Sequence, residues 1–260
     1  MQAIAAAVGF NETAFVLPST IADFQIRYFT PGHENNLCGH ATIGTIFALL
    51  REGKLDKKEF MIETKAGVLP ISIYEENHQT FITMQHAAPQ FVPFEGSLKT
   101  LAEAIGLQEQ DIDTDYPTLY GSTGIWTLIV PIRDLASFGK MKPQTATFPS
   151  ILKEMPKMSI HPVCLDVRDM ESTMHGRHFS SPYSGTIEDA VTGTASGVMG
   201  AYYKKYVNPL LSLPATLIVE QGHEIGKDGK VFVHVSGTAE QLDISISGTA
   251  VYVKDIELVI

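Results

Sequence analysis

Residues Arg27 to Gly44 read RYFTPGHENNLCGHATIG and combine several structural signals in a short space. A β-rich segment leads into a Pro-Gly turn, the carboxylate of Glu34 follows, and a helix is predicted to start near Gly39. The first amides of a helix have no intrahelical acceptor and therefore favour anions. The stretch thus predicts a carboxylate beside a row of backbone donors, which suits the binding of an anionic substrate.

The same pattern occurs again 154 residues further along the chain. Residues 188–197 read EDAVTGTASG, and this offset places Glu34 on Glu188 and Gly39 on Gly193. An Arg-x-Phe-[Thr/Ser] segment precedes both copies. A repeat of this kind predicts two similar halves, each a sheet around one Gly-started helix. The two helix starts are expected to face each other across an interdomain cleft and to line one site.

Helices and short, turn-separated strands predict an α+β protein with mainly antiparallel pairing. The domains are expected at residues 1–116 and 117–260, with the last strand returning to the first domain. The predicted helix from Gly39 to Arg51 is apolar nearly all round and is expected to be buried on most sides. Ala250 to Val253 is predicted as a strand, and Lys140 to Pro149 as a loop.

Composition and charge exclude several classes of partner. The net charge is −10 and Lys and Arg do not cluster, which argues against nucleic acid and anionic membranes as partners. No apolar run reaches membrane-spanning length, and the first residues predict a short helix rather than a secretion signal. Two cysteines, Cys38 and Cys164, favour a reducing compartment, so a cytoplasmic location is expected. Nucleotide-binding fingerprints are absent, and no cofactor is predicted.

Two carboxylates are the candidate proton carriers. Glu34 is interpreted as a general base tuned by partial burial, with a role in capping the loop or helix as the alternative. Asp189 would face Glu34 across the predicted cleft. Paired carboxylates can hold different protonation states, although Asp189 is equally suited to N-cap the helix that begins near Gly193.

The substrate-binding candidates are the residues around the two helix starts. Gly39 and Gly193 allow backbone to approach a ligand closely, with tight helix packing as the competing explanation. His40 and Thr194 occupy matching positions in the repeat and could hydrogen-bond a substrate. Cys38, at a helix N-terminus, could abstract a proton itself, but its match in the repeat is Thr192, which disfavours a symmetric two-thiol mechanism.

Histidines do not show the spacing of a metal site, and none is predicted. His33 and His40 near Glu34 lack a second ligand cluster. The remaining candidates are scattered among predicted strands and are interpreted as structural: His161, His175, His178 and His223.

These motifs resemble the phenazine-biosynthesis PhzF-like isomerase family. The resemblance rests on residues 27–42, on Glu188-Asp189-Ala-x-Thr-Gly-[Ser/Thr]-Ala, on the segment Gln221 to Gly226, and on the first helix with Asn11 to Phe15. It implies a diaminopimelate-epimerase type of fold, with two barrel-like sheets that each surround a helix. It also implies cofactor-free proton transfer with Glu34 as acid/base, substrate contacts from Asp189 and Thr194, and a homodimer.

The chain departs from the family pattern in three places. It starts at what resembles the first helix, so the family's opening strand is not expected within it. Thr194 stands where serine is commoner, and the strand from Phe60 to Thr64 lacks a histidine that the phenazine enzyme carries. The reaction class is therefore expected to transfer better than the substrate. Two alternatives stay open, namely an amino-acid racemase using Glu34 and Cys38, and a non-catalytic binding protein.

Overall fold

The computed structural model describes residues 1–76 and 78–258. These residues form two compact units. Unit 1 comprises Met1 to His86 and Ser245 onward, and unit 2 comprises Ala87 to Ile244. The predicted boundary before Pro117 therefore lies well inside unit 2, whereas the last strand supplies residues to unit 1.

Unit 1 is a twisted sheet with one long helix packed on it. The elements are α1 (Gln2–Val8), β1 (Thr13–Leu17), β2 (Phe24–Phe29), β3 (Glu34–Asn35), α2 (Gly39–Arg51), β4 (Glu59–Thr64), β5 (Gly67–Glu76) and β6 (Gln79–Gln85), together with residues 245–248 of β16 (Leu242–Gly248). The strands lie in the order β1, β2, β4, β5, β6, followed by this part of β16, while the short β3 pairs with β2. Helix α2 packs against β1 and β6.

Unit 2 repeats this plan with a larger sheet. The order is β15, β14, β11, β10, β9, β8, β7, with β12 beside β10 and β13 beside β12. Helix α5 packs against β15, β8 and β9. The elements are β7 (Gln90–Pro93), α3 (Leu98–Ala104), β8 (Leu119–Ser122), β9 (Trp126–Pro131), α4 (Phe148–Ile151), β10 (Ser159–Cys164), β11 (Met174–Gly176), β12 (His178–Phe179), β13 (Glu188–Asp189), α5 (Gly193–Tyr202), β14 (Ala215–Gln221), β15 (Gly229–Gly237) and β16 (Leu242–Gly248).

The α+β class with mainly antiparallel strands is confirmed. Parallel pairing occurs between β2 and β4, between β9 and β10, and between β11 and β14, whereas ladders such as β1 with β2, β5 with β6 and β14 with β15 are antiparallel. Within the described ranges, no helix is long and apolar enough to cross a membrane.

Two local predictions were wrong. Ala250 to Val253 is irregular rather than a strand, and Val251 is 81% exposed, so its apolar side chain is not buried by a neighbouring strand. Lys140 to Pro149 is not a plain loop, since Thr145–Thr147 forms a 3-10 turn that leads into α4. Helix α2 buries Gly39, Thr42, Ile43 and Ile46, and it contacts β1 at one end of the sheet order and β6 near the other.

Candidate active site

Glu34 lies in an ion pair that ties β3 to β2. Arg27 donates from Nε to Oε1 at 2.7 Å and from a terminal nitrogen to Oε2 at 3.0 Å, and Lys65 also contacts Oε2. The Arg27 hydrogen bonds, with Lys65 adding to them, lower the pKa of Glu34 to about 2. Glu34 is consequently an anion held by two cations, with a weak affinity for a proton in this arrangement.

The matching residues of unit 2 form the same pair. Arg177 donates to Glu188 at 2.8 Å and 2.6 Å, and a third bond runs from Arg177 to the carbonyl of Phe138 at 2.7 Å. Arg177 directly precedes β12 and Glu188 lies on β13, whereas Arg27 lies on β2 and Glu34 on β3. The repeated Arg and Glu therefore hold a two-strand ribbon immediately before each Gly-started helix.

Glu12 is a site residue that the sequence reasoning missed. The side-chain amide of Asn35, the residue after Glu34, donates to Glu12 at 3.1 Å and 3.3 Å. Burial raises the pKa of the Tyr28 hydroxyl, its hydrogen bond with Thr42 acts in the opposite direction, and the charges of Cys38 and Glu12 raise this pKa further. Glu12 is thus joined through Asn35 of β3 to the segment that leads into α2. Glu12 belongs to the segment Asn11 to Phe15, which carries part of the family resemblance and was the available sequence signal for this residue.

The start of α2 presents its first amides together with a thiol and an imidazole. Cys38 occupies the N-cap position in an extended conformation, and Gly39, His40 and Ala41 supply the first amides. Cys38 Sγ lies 3.5 Å from His40 Nδ1. The two side chains therefore meet although they are two residues apart, because Cys38 precedes the helix and does not follow its periodicity. Gly39 is buried and His40 is exposed, and both lie at the start of α2, where the sequence predicts a helix to begin.

The start of α5 is built differently. The Thr192 hydroxyl donates to Asp189 Oδ2 at 2.7 Å, and Gly193 and Thr194 form the first turn. Gln221, which sequence reasoning did not assign to the site, donates to the Asp189 carbonyl at 2.7 Å and accepts from the Thr192 amide at 3.2 Å. Its amide fixes the loop before α5 because it bonds both sides of it.

Two histidines, His161 and His178, lie at the strand pair that carries Asp189. His178 pairs with Asp189 in the register of β12 and β13, and its Nδ1 lies 3.1 Å from His161 Nδ1. Burial lowers the pKa of His178 to about 4, although the charge of Asp189 acts in the opposite direction. His178 therefore presents an uncharged ring to the strand pair that carries Asp189.

Each unit thus brings together a carboxylate and a helix start. Unit 1 combines Glu12, Asn35 and the start of α2, and unit 2 combines Asp189, Gln221 and the start of α5. Such a set can bind a carboxylate group through backbone amides and can move a proton through a side-chain carboxylate.

Comparisons with known proteins agree on one family. The family model described as phenazine biosynthesis-like protein matches residues 1–255. An uncharacterized isomerase of Bacillus subtilis is 50% identical over 253 residues, which cover 97% of this chain and 85% of that protein. The crystal structure of a Bacillus anthracis phenazine biosynthesis protein of the PhzF family matches with a TM-score of 0.95 and 57% identity, covering 100% of this chain and 88% of that one.

A more distant relative carries a specific activity in its name. The trans-2,3-dihydro-3-hydroxyanthranilate isomerase of Pseudomonas aeruginosa is 26% identical over 251 residues, which cover 95% of this chain and 84% of that enzyme. Both curated relatives are named isomerases, and the match extends over nearly the whole sequence. The chain therefore belongs to the phenazine biosynthesis-like, or PhzF, family of isomerases.

Proposed function

We propose that the protein moves a proton between two carbon atoms of a small, carboxylate-bearing substrate without a cofactor. One C–H bond breaks, the electron pair shifts into the neighbouring bond, and a C–H bond forms elsewhere, so the reaction needs no oxidant or reductant. The observation that carries this proposal is that the Glu12 carboxylate is joined through Asn35 to the segment that leads into α2, whose first-turn amides are donors, within an isomerase family.

The proton carrier is one of two carboxylates in unit 1. Glu34 is the residue that the sequence predicts, and its pairing with Arg27 and Lys65 makes it a weak base. Glu12 accepts hydrogen bonds from the neutral amide of Asn35, the residue that follows Glu34 on β3. We assign the proton transfer to Glu12 and give Glu34 the role of holding Arg27 and Lys65 in place.

The substrate contacts follow from the two helix starts. The amides of Gly39 and His40 are proposed to hold a substrate carboxylate, because they are first-turn donors of α2. Gly193 and Thr194 offer the same kind of donors at α5, where Asp189 supplies a second carboxylate. A dihydro-hydroxyanthranilate is one substrate to test, since a relative is named for it.

The test is deuterium uptake from heavy water into a panel of small carboxylates, followed by NMR. The panel contains trans-2,3-dihydro-3-hydroxyanthranilate and several α-amino acids. We expect label with the wild type and a loss of about 10²–10⁴-fold in Glu12→Gln, the usual contribution of a positioned acid/base. Glu63→Gln is the matched control, because that carboxylate of unit 1 bonds Ser19 and Gln25 instead.

The outcomes separate the alternatives. If Glu34→Gln loses exchange and Glu12→Gln keeps it, Glu34 is the proton carrier. Exchange at the α-carbon of amino acids that disappears in Cys38→Ala would favour a racemase, a reading supported by the 3.5 Å contact between Cys38 and His40. Binding without exchange in any panel member would point to a non-catalytic protein.

A further inference from the structure

A cluster of histidines and glutamates lies in unit 2, separate from the residues assigned to proton transfer. His175 on β11 is directly opposite Glu220 on β14 in the parallel register, and its Nδ1 lies 2.8 Å from Glu220 Oε1. His223 opens the 3-10 turn His223–Ile225 that follows β14. One ligand atom from each of these three residues lies within 4.8 Å of the others.

Local backbone geometry brings His223 back onto the sheet. Gly222 has a φ of 89°, and a Cβ at this position would lie 2.2 Å from the carbonyl oxygen of Lys227. Only glycine fits this tight reversal, because it has no Cβ and tolerates positive φ. The His223 ring consequently packs with its centroid 5.5 Å from that of His175.

Several polar atoms in this cluster are buried without a hydrogen-bond partner among the described residues. They are His175 Nε2, His223 Nδ1 and Glu224 Oε2. His175 Nε2 does approach Glu224 Oε1 at 3.3 Å, and the His175 side chain is fully buried. Buried polar atoms are rarely left unpaired in native proteins, and each such atom needs an explanation. His223 Nδ1 and Glu224 Oε2 in particular, on neighbouring residues of one turn, call for a further partner.

The charge of the cluster favours a cation. Glu220 is held by the amides of Arg168 at 2.6 Å and Asp169 at 3.0 Å. Glu224 accepts from Arg168 at 2.9 Å through Oε1. Two carboxylates thus face one guanidinium and two imidazoles, which leaves a net negative charge when the imidazoles are neutral.

We propose that His175, Glu220 and His223 bind a divalent transition-metal ion, with Glu224 as a neighbouring carboxylate. Two imidazole nitrogens and one carboxylate oxygen form a ligand set typical of Zn²⁺, which binds such atoms at about 2.0–2.2 Å. Zn²⁺ at these bond lengths would draw the three ligand atoms together from separations of up to 4.8 Å, and His223 is the least buried of the three residues.

The metal would act on the structure of unit 2 rather than on the reaction. It joins β11, the end of β14 and the following turn, and Gln221 lies between two of its ligands in the sequence. Gln221 bonds both Asp189 and Thr192, so an ion at this place fixes the frame of the second helix start. The inference is independent of the proposed reaction, since it needs no substrate.

The experiment measures Zn²⁺ binding to the full chain after removal of metal with a chelator. We expect one Zn²⁺ per chain by calorimetry, and a raised thermal midpoint, because a ligand that binds the native state stabilises it. His223→Gln is expected to bind at least tenfold more weakly and to lose the thermal shift. His234→Gln is the control, because this histidine of unit 2 bonds Thr216 and lies outside the cluster.

A second readout detects the coordination itself. Co²⁺ in place of Zn²⁺ should give visible absorption bands with the wild type and with His234→Gln, and these bands should vanish in His223→Gln. Glu224→Gln should weaken binding by about 10–100-fold, as is typical for carboxylates that support metal ligands. A wild type that binds neither ion, or equal binding by His223→Gln and the wild type, would overturn the proposal.

Discussion

The two copies of the repeated motif share a frame but differ in how deeply they are buried. In unit 2, helix α5 is buried at nine positions, and the Arg177 and Glu188 side chains are 7% and 8% exposed. In unit 1, helix α2 buries four positions, and Arg27 and Glu34 are 33% and 14% exposed. One sequence pattern therefore gives a core element in one unit and a partly exposed element in the other.

Comparing the two copies distinguishes the residues that fix the backbone from the side chains that differ between the units. The Arg-Glu pair and the glycine at the helix start recur in both units and fix the backbone. The positions between them do not match. Asn35 corresponds to Asp189, and the pair Cys38 and His40 corresponds to Thr192 and Thr194. The repeated Arg-Glu pairs thus maintain the structure, the repeated glycines supply backbone amides to the proposed site, and the side chains that differ give the two helix starts different functional groups.

The largest expected effect is the loss of the buried arginine. Arg177→Met leaves Glu188 buried without its cation and removes the bond to the Phe138 carbonyl. We expect a loss of about 3–5 kcal/mol in the free energy of unfolding, the usual result of breaking a buried ion pair. Arg27→Met should cost much less, because Glu34 keeps Lys65 and is reached by water.

Urea unfolding of both variants measures this contrast. Matched substitutions in one chain share the same unfolded state, so the difference reports the two environments. Equal losses for Arg177→Met and Arg27→Met would show that the burial contrast between the units does not control their stability.

A smaller effect is expected for glycines in the two central helices. A Cβ on Gly200 of α5 would lie 2.4 Å from Val233 Cγ1 on β15, whereas a Cβ on Gly44 of α2 meets no atom within 4 Å. Gly200→Ala should therefore destabilise by about 1–3 kcal/mol through overpacking. Gly44→Ala should stabilise by about 0.5–1 kcal/mol, because alanine loses less backbone entropy in a helix.

Thermal unfolding monitored by circular dichroism compares the two glycine variants with the wild type. The sign is the informative quantity, since opposite shifts in the midpoint are expected. A loss of stability in Gly44→Ala would mean that α2 is as closely packed as α5.

The regular elements were predictable because local patterns determine them. The bounds of β2 and α2 follow from β-branched and aromatic runs and from the glycine at the helix start. The two-residue strands β3 and β13 were not predicted, since they depend on the Arg-Glu pairs that close over them. Strand pairing across a sheet is a tertiary property and leaves a weak local signal.

Site residues were predictable where they belong to the repeat and not where they come from elsewhere in the chain. Glu12 lies 23 residues from Asn35, and Gln221 lies 32 residues from Asp189. Separations of this length along the chain lie outside any short sequence motif. Glu34 is predicted as a base because its position repeats, and the repeated glutamate is also paired with the repeated arginine in both units. Periodicity identifies a shared structural need and does not distinguish that need from catalysis.

The smallest expected effect is the pH dependence of the exposed copy. The folded-state pKa of Glu34 is about 2, below its ordinary value of 4.5, because Arg27 and Lys65 stabilise the anion. A lowered pKa means that the ionised carboxylate stabilises the fold fully above pH 4.5 and progressively less as the pH falls toward 2. The stability difference between the wild type and Glu34→Gln should therefore be constant near neutrality and should close between these values. Urea midpoints of the wild type and of Glu34→Gln, measured from pH 7 to pH 2, give this stability difference. If the difference at pH 2 equals that at pH 7, the ion pair with Arg27 adds nothing to the stability of unit 1.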